Sequence, residues 1–262
     1  MQSKVVVITG ASSGIGAALG SLLAKEGYTV YGLSRRGTAP KGVKPLSCDV
    51  TDASSLRSAI DTVLREATRI DIAVLCAGCG IAGAVSHLPE DEVKRQMDVN
   101  LLGAGNCLAA LTPALRESRG RVLAIGSVAG VFPIPFQAHY SAGKAALESL
   151  IRAYAGEVAP LGVEAGIALL GDASTGFTAA RTTCLSGDDL YGGRIASSVA
   201  KMARDEETGA SPEAIARALY RRMRRRRLPR RFTVGLGYRA LVLLDRLLPA
   251  RWVDAIVARL YR

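Results

Sequence analysis

Short, almost uninterrupted apolar runs alternate along the chain with longer stretches in which apolar residues recur every three or four positions. KVVVITG (residues 4–10) is of the first kind and predicts a strand buried on both faces. GIGAALGSLLAKEG (14–27) is of the second kind and predicts a helix that closes on Gly27, and YTVYGLS (28–34) predicts the next strand. The alternation continues with strands near 44–48, 71–76, 121–126 and 163–169, and with helices over 53–68, through 90–117 and from about 138 to 158. Repeated strand–helix units argue for a parallel sheet, because the helical crossovers cover both of its faces. The predicted fold class is α/β, a doubly wound parallel sheet in three α/β/α layers, and such sheets bind ligands beyond the carboxyl ends of their strands. Residues 171 to about 210, rich in Gly, Ser, Thr and Asp, interrupt the pattern and predict a mobile flap. A helix from Ser211, with Pro212 at its first position, and a short strand in RFTVG (231–235) follow.

YRALVLLDRLLPARWVDAIVARLYR (238–262) sets Leu, Val and Ile at helical intervals with arginines between them, broken by Pro249. It predicts a basic amphipathic helical extension that packs on the same domain, on a partner subunit or on an anionic membrane surface. The chain thus divides into a main domain, 1–237, and this extension, 238–262. Trp252 is expected to serve packing.

Composition narrows the setting. With 262 residues and 49% hydrophobic content the chain can bury a sizeable core. The apolar run Val5 to Ile8 is too short for a signal peptide, and nowhere do 18 apolar residues follow one another, so the expected location is cytoplasmic, with peripheral membrane contact open to the tail. Five cysteines (Cys48, Cys76, Cys79, Cys107, Cys184) form an odd set that suits a reducing compartment. Cys76 and Cys79 spell C-x-x-C, but a glycine loop and not a helix N-terminus follows, so neither a redox nor a metal role is expected.

The net charge of +11 is confined to one end. Residues 1–210 hold 20 basic and 20 acidic side chains, whereas 211–262 hold 14 and 3. The centre of the excess is RRMRRRRLPRR, Arg221 to Arg231, with eight arginines. That density points to an anionic partner. Nucleic acid is not expected, because aromatics are not interleaved with the arginines.

Three motifs carry chemistry. TGASSGIG (9–16) joins the first strand to the first helix; Gly10, Gly14 and Gly16 permit a tight turn and close backbone approach, and the helix N-terminus, with Ser12, Ser13 and Ile15 beside it, offers N–H groups to a pyrophosphate. The second strand ends in Ser34, Arg35 and Arg36, where a carboxylate would select a free ribose hydroxyl; two guanidiniums and a hydroxyl suit a 2′-phosphate and so favour NADP(H). Asp49 and Val50, after the third strand, would lie beside the adenine. YSAGK (140–144) places Tyr140 and Lys144 four residues apart, on one face of a helix. A phenol is a poor acid or base at neutral pH until a nearby cation stabilises its phenolate, and Lys144 is such a cation. His139 and His87 are not expected to take part.

In combination and order, TGASSGIG, CDVT (48–51), CAG (76–78), MDVNLLG with Asn100, GSVAG with Ser127, and YSAGK resemble the short-chain dehydrogenase/reductase family over most of residues 3–237. The resemblance implies a Rossmann-type catalytic domain in which Tyr140 is general acid in ketone reduction and general base in alcohol oxidation. It implies that Lys144 binds the nicotinamide ribose and lowers the tyrosine pKa, that Ser127 hydrogen-bonds the substrate oxygen, and that Asn100 helps hold a water in the proton path. Ala77 and Gly78, then Gly171, Ala173 and Thr175, match segments that approach or cover the cofactor. Three departures stand out: Leu75 and Cys76 replace the family's usual asparagine pair, Leu170 replaces a proline before Gly171, and Ser13 stands where many NADP-preferring members carry a basic residue.

The expected activity is NADP(H)-dependent interconversion of a secondary alcohol and a ketone on a lipophilic substrate of steroid, bile-acid, retinoid or acyl type. The apolar tail and VFPIPFQAH (131–139), a cleft-lining candidate, motivate the substrate class, and the tail loosely resembles extensions on hydroxysteroid- and retinol-type members. Reduction of a 3-oxoacyl chain on an acidic carrier protein docked at Arg221 to Arg231 is the nearest rival. A nucleotide-sensing or membrane-associated scaffold without turnover is another. A homodimer or homotetramer is implied by the resemblance alone.

Overall fold

The computed structural model describes residues 3–261; residues 1, 2 and 262, the outer ends of the two predicted segments, lie outside that range. Its first strand, β1 (Val5–Thr9), is buried along its whole length: Val5 and Val7 join one core and Val6 and Ile8 the other. A strand covered on both faces has no polar side to alternate with, which is why the run is continuous. β1 lies between β2 (Thr29–Ser34) and β4 (Ile72–Leu75), with α1 (Gly14–Lys25) crossing from β1 to β2. β3 (Lys44–Ser47) forms the edge beyond β2. On the other side β6 (Arg121–Ser127), β7 (Glu164–Leu170) and β9 (Arg231–Thr233) complete a seven-stranded sheet of order β3-β2-β1-β4-β6-β7-β9, every pairing parallel. This is the doubly wound α/β architecture expected.

One face is covered by α2 (Ala53–Ala67), α4 (Gly103–Ser118) and α5 (Ala138–Val158), which bury Leu56, Leu111, Leu115 and Ile151. The other carries α1 and α7 (Pro212–Met223), which bury Leu19, Leu23, Ile215 and Leu219. Each such side chain contributes about 1.5–3 kcal/mol over its exposed state. Helix starts are set locally: the Asp52 carboxylate accepts from the Ser54 N–H at 2.8 Å, and the Ser211 hydroxyl accepts from the Ala214 N–H at 3.2 Å with Pro212 at the first position.

The structure refines or corrects the sequence expectation in three places. The helical stretch 90–117 is two helices, α3 (Glu90–Met97) and α4, joined by a wider π-helical turn over Asp98–Leu102 that carries Asn100. The segment expected as a flap is folded. Within it β8 (Thr182–Thr183) pairs in parallel with β5 (Ile81–Ala82), and α6 (Arg194–Glu207) is an amphipathic helix burying Ile195 and Met202. Its Arg181, only 2% exposed in its side chain, pairs with Glu206 of α6, which also accepts from the Thr178 hydroxyl. Glycine-rich composition suggested mobility, but an ion pair distant in sequence holds the segment in place. Finally, α8 (Leu236–Asp245) and α9 (Ala250–Leu260) lie beside the carboxyl ends of the strands, and Trp252, expected in packing, is 54% exposed.

Candidate active site

The glycine turn after β1 cannot accept side chains. Gly10 has φ +69°, and a Cβ on it would lie 2.9 Å from the Ala77 N and Cα; one on Gly16 would lie 2.4 Å from the Gly10 carbonyl oxygen. These contacts press the turn against the backbone after β4, where the N–H groups of Cys76 and Ala77 donate to the Thr9 hydroxyl at 3.1 and 3.2 Å. Ser13, at the start of α1, makes no side-chain cap, so its hydroxyl does not occupy the first N–H groups of the helix, which border the cavity. A concave backbone surface backed by a helix N-terminus fits the diphosphate of a dinucleotide.

At the end of β2, Arg35 and Arg36 line the same cavity, and the Arg36 guanidinium donates to the Ser12 hydroxyl at 3.0 Å. That contact brings the cation over the glycine turn. Ser34 plays another part: its buried hydroxyl donates to the Thr38 carbonyl at 3.0 Å and accepts from the Thr38 N–H at 3.3 Å, tying down the turn rather than reaching outward. Asp49 and Val50 line the cavity, with the Asp49 carboxylate receiving the Thr51 N–H at 2.9 Å and hydroxyl at 2.8 Å.

The four expected catalytic residues converge from three elements. Ser127 ends β6, where its hydroxyl oxygen accepts from the Ala129 N–H at 3.1 Å and keeps its own proton to donate. Tyr140 and Lys144 stand one turn apart on α5, with the ammonium 5.8 Å from the phenol ring centroid. Lys144 is buried and donates to the Ile125 carbonyl at 3.1 Å. Asn100, also buried, clamps the loop after β4: its amide donates to the Cys79 carbonyl at 2.8 Å and accepts from the Cys79 N–H at 2.9 Å. A Cβ on Gly78 would lie 3.2 Å from the Asn100 Oδ1 and 3.8 Å from the Lys144 Nζ, so that loop, Asn100 and Lys144 are mutually fitted. Among the predicted site residues Asn100 alone does not line the cavity; its side-chain amide is engaged by Cys79.

Electrostatically the site differs from the expectation on one point. Burial pushes the Tyr140 phenol up to about 12, and a hydrogen bond with Ser127 offsets part of that rise. Burial also holds the Lys144 ammonium below its ordinary value. Desolvation is therefore the largest influence on both groups, and among nearby cations Arg181 lowers the phenol. The C-x-x-C thiols are likewise pushed up by burial, Cys76 to about 11.

Gly171, Ala173 and Thr175 cover the turn from the β7 side, with Thr175 3.5 Å from where a Gly14 Cβ would sit. The cavity, about 840 Å³, runs from the glycine turn past Tyr140 to an apolar vault. The vault wall is Phe132, Ile134 and Phe177 on one side and Leu241, Leu248, Val253 and Val257 of α8 and α9 on the other. Phe177 stacks obliquely on Tyr140 with ring centroids 5.8 Å apart. Tyr238 at the start of α8 locks the vault to the cofactor side: its hydroxyl donates to the Asp172 carboxylate and accepts from the Asp172 N–H at 3.1 Å, and its ring lies where a Gly171 side chain would be. Sequence reading missed Tyr238, Phe177 and Glu206 on this wall. The helical spacing of the tail was a signal for Tyr238; nothing local marked the other two.

The family described as short chain dehydrogenase matches residues 4–184. A 3-ketodihydrosphingosine reductase of Bacteroides thetaiotaomicron is 36% identical over 239 residues, covering 90% of this chain and 89% of that protein. Human 17-beta-hydroxysteroid dehydrogenase type 1 is 35% identical over 195 residues, 68% of this chain and 59% of that one. Among solved structures, a short-chain dehydrogenase from Streptomyces avermitilis superposes with a TM-score of 0.84 at 28% identity, covering 98% of this chain and 94% of that one.

Proposed function

Because this chain belongs to the short-chain dehydrogenase family, an oxidoreductase family acting on carbonyl and hydroxyl groups, we propose that it interconverts a lipophilic ketone and its secondary alcohol with NADP(H). The observation that carries this reading is the continuity of one cavity: a glycine cradle with two arginines at one end, Tyr140 and Ser127 at the middle, and an apolar vault at the other. Bound in the cradle, the dinucleotide supplies or accepts hydride. The chain's residues handle the rest. Ser127 donates to the carbonyl oxygen and orients it, Tyr140 delivers the proton as charge develops there, and the Lys144 cation stabilises the phenolate left behind. Asn100 keeps the loop beneath Lys144 in register. The likeness to a 3-ketodihydrosphingosine reductase and to a 17-beta-hydroxysteroid dehydrogenase supports a lipophilic substrate.

The test is NADPH oxidation over a panel of long-chain acyl ketones, steroids, bile acids, retinoids and small sugars. Lipophilic ketones should be turned over with NADPH; turnover of sugars alone would end the substrate assignment. Arg36→Ala should lower kcat/KM with NADPH by about tenfold to a hundredfold, as expected for loss of one charge-assisted contact, while leaving NADH kinetics nearly unchanged. Equal losses with both cofactors would remove the 2′-phosphate role.

The raised phenol sets the pH response. Reduction needs Tyr140 protonated, and with its pKa near 12 it remains so through neutral pH; the reductive rate should be flat there and fall only in strong alkali. Oxidation needs the phenolate, whose fraction grows about tenfold per pH unit below the pKa. Rates measured in both directions should therefore diverge with rising pH, and an oxidative rate independent of pH would contradict the assignment.

A further inference from the structure

We propose that the outer face of α8 and α9, with the adjoining arginine ridge, docks on an anionic phospholipid bilayer, placing the cavity against the membrane surface. At about 100° per residue, α8 divides into two faces. Tyr238, Leu241, Leu244 and Asp245 turn to the cavity, as does Leu248 just beyond the helix, whereas Leu236 and Leu243, with Leu247 in the turn that follows, project oppositely and are 81, 59 and 73% exposed. On α9 the cavity takes Val253, Ile256, Val257 and Leu260, while Arg251 lies opposite and exposed Trp252 and Arg259 project from the flank. Large apolar side chains projecting into water beside arginines are the pattern of a helix that rests in a lipid interface.

The arginine ridge adjoins this face. After α7 the Arg121 guanidinium gathers the carbonyls of Met223, Arg225 and Arg226 at 2.7–2.9 Å, which turns the side chains of residues 224–227 outward. Arg224, Arg225, Arg226 and Arg227 are all exposed, and none forms an ion pair among the described residues. Arg222 lies over the Phe232 ring at 5.7 Å, two residues before the turn into α8, and feels the charges of Arg225 and Arg239. Ridge and helix face are therefore neighbours.

Charge decides between occupants. A second copy joined through this face by a two-fold axis would set arginine against arginine, since the exposed positions include Arg239, Arg246, Arg251 and Arg259 against Asp254 alone. A bilayer of acidic lipids offers both complements at once, headgroup charge for the arginines and acyl chains for Leu243, Leu247 and Trp252.

The experiment is co-sedimentation of the full chain with phosphatidylcholine vesicles, with and without phosphatidylglycerol, at low and high salt. Binding should require phosphatidylglycerol and weaken with salt. Combined Arg225→Glu, Arg226→Glu and Arg227→Glu should reduce it on the order of a hundredfold, and Leu243→Ser with Leu247→Ser should reduce it independently of salt, with circular dichroism and thermal unfolding confirming intact folds. No binding to either vesicle, or binding indifferent to both sets of changes, would overturn the proposal. So would a dimer broken by the leucine changes, or capture of an acidic carrier protein without vesicle binding. Association is read without turnover, so the outcome is separate from that of the proposed reaction.

Discussion

Tyr140→Phe should lower turnover of any ketone substrate by roughly 10²–10⁴ while leaving dinucleotide affinity within a few-fold. In the proposed reaction the phenol, which lines the middle of the cavity, is the proton donor. Ser127 has a hydroxyl whose oxygen already accepts from the Ala129 N–H, and the Lys144 ammonium is held by the Ile125 carbonyl, 5.8 Å from the ring centroid. The ring itself, packed on Phe177, remains in the variant, so the wall and the cradle keep their shape. Single-turnover kinetics beside fluorescence titration of NADPH would separate the two quantities. Retained turnover would transfer the acid role elsewhere, and equal loss of binding would make Tyr140 a structural residue.

Glu206→Ala should destabilise the fold by about 3–5 kcal/mol, because it leaves the Arg181 charge buried and unpaired. Thr178 loses its acceptor in the same change. For a chain of this size the unfolding midpoint should fall on the order of 10 °C, at about 2–4 °C per kcal/mol. The double variant Arg181→Met with Glu206→Leu removes both charges and should recover much of the loss, since the desolvation cost goes with them. If the single variant melts with the parent protein, the segment after β7 is not held by this pair.

Much of this molecule can be read locally. The continuous valine run of β1 announces a strand buried on both faces, Gly10 and Gly16 announce a turn that admits no Cβ, and the four-residue interval of Tyr140 and Lys144 puts them on one face of α5. Each of these depends on residues near in sequence and on the geometry of one element. Asn100 was legible as a member of the site but not as the clamp of Cys79, because that bond depends on a π-helical turn with no signature of its own. Composition misread the segment 171–210: glycines and hydroxyls are as compatible with a loop as with α6, and the Arg181–Glu206 pair closes over 25 residues.

The sequence by itself determined the parallel α/β fold and the glycine cradle and put Tyr140 and Lys144 on one helix face, since periodicity and short-range spacing suffice for these; Ser127 was marked by the family resemblance. The tertiary structure alone decided the acidity of the phenol, the wall of the vault and the pairing of Tyr238 with Asp172. Burial is a property of everything packed around a group, and contacts between residues 66 apart in the chain are set by how whole layers close on one another.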